Sequence, residues 1–180
     1  KMKLIKTKIK GAFIVLDQFK EDSRGAFCKF YNDEKFKLKN LNFQSKEIYY
    51  NISNKNVIRG MHFQIPPYDH SKLIKCIYGE ILDVILDIRK ESSTYLKYET
   101  INLKENDGKS IYLPSGVAHG FLSLKEKTMV LYNVSSIYSP DHDKGILWNS
   151  FGFKWPCSSP IISKRDQNFD RINLFKTPFL

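Results

Sequence analysis

Apolar residues recur along this chain mostly at every second position, in short runs, and almost nowhere at the spacing of an amphipathic helix. Lys72–Tyr78 and Ile81–Ile88 are two such runs. They flank Gly79-Glu80, a two-residue turn of the kind that closes a hairpin. Phe121–Leu124 and Met129–Val134 flank Lys125–Thr128 in the same way and predict a second hairpin. Ile111–Leu113 stops at the turn signal Pro114-Ser115-Gly116, and Ala12–Leu16, Phe27–Phe30 and Glu47–Ile52 read as further short strands. Helical signals are confined to a turn or two over Tyr31–Phe36 and a short stretch after Ser163, which would be its N-cap. Many short strands with little helix predict an all-β sandwich or barrel, and a jelly roll with peripheral arms is the natural architecture. With 180 residues, no repeat and no low-complexity linker, residues 1–180 suit a single domain.

Composition narrows the function. Hydrophobic residues make up 42% of the chain and aromatic residues 14%, enough for a core. No apolar run approaches the ~18 residues that cross a bilayer, so no membrane partner is expected. Lys1–Lys10 is basic, but the apolar stretch behind it, Ala12–Leu16, ends at Asp17 and is too short for an export signal. Cys28, Cys76 and Cys157 are widely spaced, odd in number and form no Cys-x-x-Cys pair. That fits reduced thiols in a cytoplasm better than a disulfide framework or a zinc site. The formal charge of +10 lies on scattered lysines, without a run of five like charges. Nucleic acid is therefore not an expected partner. Plain surface charge and a field that gathers a small anionic substrate are the two remaining readings.

Of the four histidines, His62 and His119 sit at the most punctuated places. His62 follows Arg59-Gly60, where glycine permits close backbone approach, and His119 follows the turn at Pro114. On a barrel both can face the mouth. Metal-holding small barrels typically carry His-x-His, a following Glu and a later His. Here position 64 is Gln, and Tyr68-Asp69-His70 stand where the Glu would be. Two imidazoles without a carboxylate or thiolate partner are too few, so no metal is expected. Proton chemistry remains. An imidazole suits general-base work near neutral pH, and inverting a carbon needs an acid on the opposite face. Tyr132 shares a strand face with Val130 and Val134 and is a candidate acid, with core filling as the alternative. Lys72, at the entry of an apolar strand, is a candidate for stabilising an enolate, with a solvated strand-end charge as the alternative.

A larger pattern then enters. Val57-Ile-Arg-Gly-Met-His-Phe-Gln64, Pro66-Pro67, Lys72-Leu73, Gly79 to Arg89, and Leu113-Pro-Ser-Gly-Val-Ala-His-Gly-Phe-Leu122 follow one another in order. Leu131-Tyr132, Tyr138-Ser-Pro140, Gly145-Ile146, Trp148 and Trp155-Pro156 continue it. Asp22-Ser-Arg-Gly-Ala-Phe27 precedes it, and Ser163-Lys-Arg-Asp166 ends it. Together these motifs resemble the dTDP-4-dehydrorhamnose 3,5-epimerase family. The resemblance implies a metal-free, homodimeric cupin jelly-roll barrel with short peripheral helices and an N-terminal strand arm. It implies action on a nucleotide-diphospho-4-keto-6-deoxy sugar, with no cofactor. By similarity His62 is the base, Asp166 the carboxylate that orients it, and Tyr132 the acid. Lys72 would lie near the C4 oxygen, His119 near the sugar, and Arg59 on the pyrophosphate. Arg24 and Phe27 would contact the nucleotide across the dimer, and Tyr138 would lie near the base or the sugar.

The chain also departs from that family. Glu47 and Tyr49 stand where the family usually has Gln-x-Asn, Asn51 replaces a serine, and Lys29 replaces a glutamate near the nucleotide. These positions belong to substrate-contacting strands, so the departures point to a retained reaction on a changed substrate. A GDP-linked heptose of surface-polysaccharide biosynthesis, such as a capsule, is one such substrate, and a dTDP-linked hexose is the other. Inversion at C3 alone, or at C3 and C5, is compatible with the same residues. A 3,4-ketoisomerase on this fold and a non-catalytic sugar-nucleotide-binding protein are the competing readings.

Overall fold

The period-two alternation becomes two antiparallel sheets lying face to face in a computed structural model that describes residues 2–180. Residue 1 of the expected 1–180 unit lies outside the described residues. In chain order the first strands are β1 (Lys3–Lys6), β2 (Phe13–Leu16), β3 (Gln18–Asp22) and β4 (Gly25–Lys29), followed by helix α1 (Asp33–Leu38). Next come β5 (Glu47–Ser53), β6 (Ile58–Gln64), β7 (Lys72–Tyr78), β8 (Glu80–Asp87) and β9 (Tyr98–Lys104). The last are β10 (Lys109–Leu113), β11 (Val117–Ser123), β12 (Thr128–Val134), β13 (Asp143–Gly145) and helix α2 (Lys164–Gln167). The first sheet runs β1-β2-β10-β7-β12-β5, the second β13-β6-β11-β8-β9, and β3-β4 form a two-stranded arm. The all-β jelly-roll barrel with short peripheral helices and a strand arm, expected from the sequence, is what the chain forms. Among the described residues no helix is long and apolar enough to cross a membrane.

Both predicted hairpins are corrected. β7 pairs with β10 and β12, while β8 pairs with β11 and β9, so Gly79 carries the chain from one sheet to the other. Lys125–Lys127 do the same between β11 and β12. A short turn between two apolar runs reads as a hairpin only if both runs belong to one sheet. In a sandwich the same turn makes a corner. The first helical signal is met two residues later, and the second where it was expected, directly after Ser163. Asn32 caps α1 by accepting from the Lys35 amide at 3.0 Å, and Ser163 caps α2 by accepting from the Asp166 amide at 3.1 Å.

Three apolar clusters hold these layers. The barrel interior joins Ile74, Ile111 and Val130 of the first sheet to Ile81, Ile85 and Phe121 of the second. The outer face of the second sheet, with Val84, Leu86 and Leu122, is covered by Trp155 and Phe179 from the C-terminal segment. Phe36 of α1 and Phe43 cover part of the first sheet's outer face against Leu73 and Tyr112. At the root of the arm, the Lys75 ammonium meets the Asp17 carboxylate at 2.7 Å, and Ser110 donates to the same carboxylate. That buried pair fixes the point where β2 gives way to β3.

The irregularity in β6 places the chemistry. His62 pairs with His119 and Arg59 with Phe121, so a three-residue step in β6 matches a two-residue step in β11. Strict alternation would send Arg59 and His62 to opposite faces. The extra residue brings both to one face. Gly60, at φ +136°, makes this possible, because a Cβ there would lie 2.5 Å from the Gly120 Cα and 2.9 Å from the His119 carbonyl oxygen. Gly25 has a comparable φ of +117° but open space around it. Gly60→Ala is therefore expected to lower unfolding free energy by about 3 kcal/mol or more, and Gly25→Ala by about 1 kcal/mol, in urea titrations. Similar losses at both positions would show that close packing is not what Gly60 serves.

Candidate active site

His62 stands at the meeting of two cavities. The first, about 260 Å³, is lined by His62, Lys72, His70, Tyr49, Tyr138 and Glu47 among others. The second, about 360 Å³, is lined by His62, Arg59, Arg165, Ser163 and Asp166. The capped turn of α2 carries Asp166 under the imidazole, where its Oδ1 lies 2.8 Å from His62 Nε2. Its other oxygen accepts from the Gly60 amide at 3.0 Å. Burial alone would raise the Asp166 pKa. The hydrogen bond and charge of His62, the Gly60 amide and Arg165 outweigh it and hold the carboxyl below its ordinary value. Asp166 is thus an anion beside His62, and it ties the imidazole to the bulge in β6. The Phe169 ring packs edge-on against His62 at 5.8 Å.

Lys72 enters from β7 with its ammonium 3.0 Å from the His62 carbonyl oxygen. It is buried, not a solvated strand-end charge. Burial pushes its pKa down to about 8, against the opposing pull of Asp143 and Asp83. His119 and Tyr132 lie deeper in the barrel. His119 Nε2 is 2.6 Å from Asp83 Oδ2, both side chains being essentially sealed. Burial lowers the His119 pKa more than Asp83 raises it, and Lys72 and His62 add to the fall. Tyr132 points inward as its alternation with Val130 and Val134 indicates. Its ring stacks on Tyr49 at 4.9 Å and meets His119 edge-on at 5.8 Å. Burial first, then Tyr49, raises its hydroxyl well above the ordinary value, with Asn51 and Arg59 opposing. Tyr132 is therefore held protonated. Burial, Glu47 and Asp143 likewise raise the pKa of Tyr49.

The strands that depart from the family pattern find partners here. The Glu47 carboxylate accepts from the Tyr138 amide at 2.8 Å and so anchors the loop that carries Tyr138 over the first cavity. Gln64, at the position a metal-binding motif would give to histidine, holds the same loop. Its amide nitrogen donates to the Ile137 carbonyl and its oxygen accepts from the Ser139 amide. Arg59 crosses to the other sheet, donating to Ser53 Oγ at 3.0 Å and to the Ile52 carbonyl at 3.2 Å.

Of the residues singled out in sequence, His62, Lys72, Asp166, Arg59, Glu47, Tyr49 and Tyr138 line these two cavities, and His119 and Tyr132 back the first. Arg24, Phe27 and Lys29 do not join them within this chain. Arg24 and Phe27 line a separate cavity on the β3-β4 arm, and Lys29 lines one beside Phe36. Three residues received no role from the sequence. Asp83 carried a usable signal, a charge in an inward position between Ile81 and Ile85. Arg165 pairs with Asp143 at 2.6 Å and lies over Phe169, with nothing local in sequence to mark it. His70 was noted only as filling a missing glutamate's place.

Comparison with known proteins agrees with this fold. The family model described as dTDP-4-dehydrorhamnose 3,5-epimerase matches residues 6–173. The enzyme of that name from Shigella flexneri is 34% identical over 172 residues, covering 93% of this chain and 94% of the relative. The Salmonella typhimurium one is 37% identical over 169 residues, covering 92% of each. The crystal structure of the Bacillus anthracis dTDP-4-dehydrorhamnose 3,5-epimerase with TDP and PPi bound superposes with a TM-score of 0.92. It is 34% identical and covers 96% of this chain and 100% of that one. The Legionella pneumophila dTDP-6-deoxy-D-glucose-3,5-epimerase in complex with dTDP-4-keto-L-rhamnose also gives 0.92. It is 26% identical, with 98% and 95% coverage.

The desolvated Lys72 makes a testable demand. Its folded pKa near 8 lies below the ordinary 10.5, so between these pH values the unfolded chain holds more protons and stability rises with pH. In denaturant titrations the wild type is expected to gain stability across that window relative to Lys72→Met. At pH 7 the methionine variant should be the more stable, by on the order of 1–3 kcal/mol. A constant difference from pH 7 to 10.5 would mean that Lys72 is not desolvated.

Proposed function

The chain belongs to the dTDP-4-dehydrorhamnose 3,5-epimerase family, and on that premise we propose that it epimerises a nucleotide-diphospho-4-keto-6-deoxy sugar by proton removal and return. The observation that carries this reading is the His62–Asp166 pair opening onto a cavity walled by a buried cation, Lys72. Asp166 engages Nε2 as its hydrogen-bond donor, which leaves Nδ1 as the nitrogen that accepts a proton. The C4 ketone acidifies the hydrogens at C3 and C5, so removal leaves an enolate whose oxygen Lys72 stabilises. As His62 gains charge, the Asp166 anion stabilises it. Tyr132, kept protonated by burial, returns a proton on the other face, and His119, fixed by Asp83, supports the sugar from below. Arg59 holds the pyrophosphate through charge-assisted hydrogen bonds.

The whole of 1–180 acts in this reading as one unit, in the cytoplasm, where Cys28, Cys76 and Cys157 stay free thiols. Its assembly is a homodimer. Phe27 is 61% exposed on the projecting arm, and Ile48, Tyr50 and Ile52 form an exposed apolar stripe on edge strand β5. Within the dimer, Arg24, Phe27 and Lys29 reach the partner's nucleotide. Sedimentation is expected to give a dimer, and a monomer at micromolar concentration would remove the role assigned to these three residues.

The relatives' names support a dTDP-linked hexose as substrate, while Glu47, Tyr49 and Lys29 motivate the GDP-linked heptose alternative. Incubation with dTDP- and GDP-linked 4-keto-6-deoxy sugars in deuterated water distinguishes them by which one incorporates deuterium. The position labelled, C3 alone or C3 and C5, defines the outcome, and NMR of the product excludes or reveals ketone migration. His62→Asn is expected to lower exchange and turnover together by about 10²–10⁴-fold. Tyr132→Phe should suppress product more than exchange. Equal loss of both in the tyrosine variant would contradict this division of roles, and binding of every sugar nucleotide without exchange would leave only a carrier.

A further inference from the structure

The imidazole of His62 is held on a second side by a residue that the proton-exchange scheme leaves unused. Gly145 in β13 stands directly across from His62 in β6, and cross-strand partners send their side chains to the same face. Glycine has none to send. The Phe169 ring takes that place instead, since a Cβ added to Gly145 would overlap its Cδ2, Cε2 and Cζ atoms. The chain behind α2 is drawn there by the Leu147 amide, which donates to the Asp170 carbonyl at 2.9 Å. From this seat the ring meets His62 edge-on, with centroids 5.8 Å apart and planes at 78°. The Arg165 guanidinium lies over the same ring at 5.1 Å and pairs with Asp143 of β13 at 2.6 Å, which ties the ring to that strand.

We propose that Phe169 is a positioning residue for the base, whose ring, seated over Gly145, stops the imidazole from turning away from Asp166. The proposal rests on the reading of His62 as the base given above. A single hydrogen bond fixes one edge of an imidazole, and the torsion about its Cβ–Cγ bond is intrinsically soft. His62 also has room to turn, because its side chain is 29% exposed against 5% for Asp166. Such a turn breaks the contact between Nε2 and Asp166 and swings Nδ1 away from the place of the hydrogen it removes. With Phe169 against the ring the orientation is fixed twice. Both constraints come from one short stretch of chain, Asp166 in α2 and Phe169 just behind it. Any side chain at position 145 would evict the aromatic ring, so the glycine there serves the base through Phe169.

Spectroscopy and kinetics test this together. In the ¹H–¹⁵N imidazole spectrum of the ligand-free protein, recorded with His62 neutral, the wild type is expected to show one sharp Nε2–H signal for His62. Phe169→Ala should broaden that signal or replace it with mixed tautomers. An identical His62 spectrum in the two proteins overturns the proposal whatever the enzyme turns over. Deuterium incorporation into the sugar nucleotide then reads the consequence. Phe169→Ala should lower kcat roughly tenfold or more with KM within twofold. Phe169→Leu, which keeps apolar bulk over Gly145, should recover most of that loss. A loss confined to KM, or to stability in urea with kcat intact, would leave Phe169 a packing residue only. The seat is tested by Gly145→Ala, which should lower kcat about as far as Phe169→Ala but have no further effect in the Phe169→Ala protein. Losses that multiply in the double variant would refute it. If the wild type incorporates no deuterium into any sugar nucleotide, the epimerase reading fails, and the spectral comparison still decides the role of Phe169.

Discussion

The backbone of Gly60 lies so close to that of Gly120 that a single added carbon would sit 2.5 Å from the Gly120 Cα. That contact lets β6 take one more residue than its partner β11, and the extra residue turns Arg59 and His62 to one face. The Gly60 amide, freed from regular pairing, donates to Asp166 and so helps dock the C-terminal turn beneath the imidazole. The placements of Arg59, His62 and Asp166 are thus three results of one backbone irregularity. Lys72 is tied in as well, through the carbonyl of His62.

Around this contact the barrel divides its charges by depth. Asp83 and His119 are sealed, Lys72 is buried but borders a cavity, and Arg59 and Arg165 line the other cavity. Desolvation therefore acts unequally on them. It keeps Tyr132 protonated, weakens the hold of Lys72 on its proton, and opposes charging of His119. The residue types suit proton exchange, and burial biases the protonation of Tyr132, Lys72 and His119.

Much of this is legible in the sequence. Alternation gave the strands and the inward course of Tyr132. The glycine before His62 marked a close approach, and the ordered motifs named the family. What alternation could not give was the pairing of strands. β7 and β8 follow one another across Gly79 yet belong to different sheets, because a local turn carries no record of which partner lies across the barrel. Period two also misplaces Arg59 relative to His62, since a bulge breaks the period at the position that matters most. Asp166 reached the site only by resemblance. It lies 104 residues from His62, and nothing local in sequence encodes that meeting. Gln64 shows the limit most clearly. It is held by Tyr68, Ile137 and Ser139, a network closed only in three dimensions.

The span between His62 and Asp166 has a temporal side. From β5 to β8, and again from β9 to β13, successive strands go to opposite sheets, so most of this barrel cannot assemble one hairpin at a time and is expected to fold slowly for its size. During synthesis the imidazole emerges long before its carboxylate, and a nascent chain that has built most of its barrel still holds His62 without Asp166. The His62–Asp166 pair closes only when the last short helix docks, so the site is completed as a late event of folding.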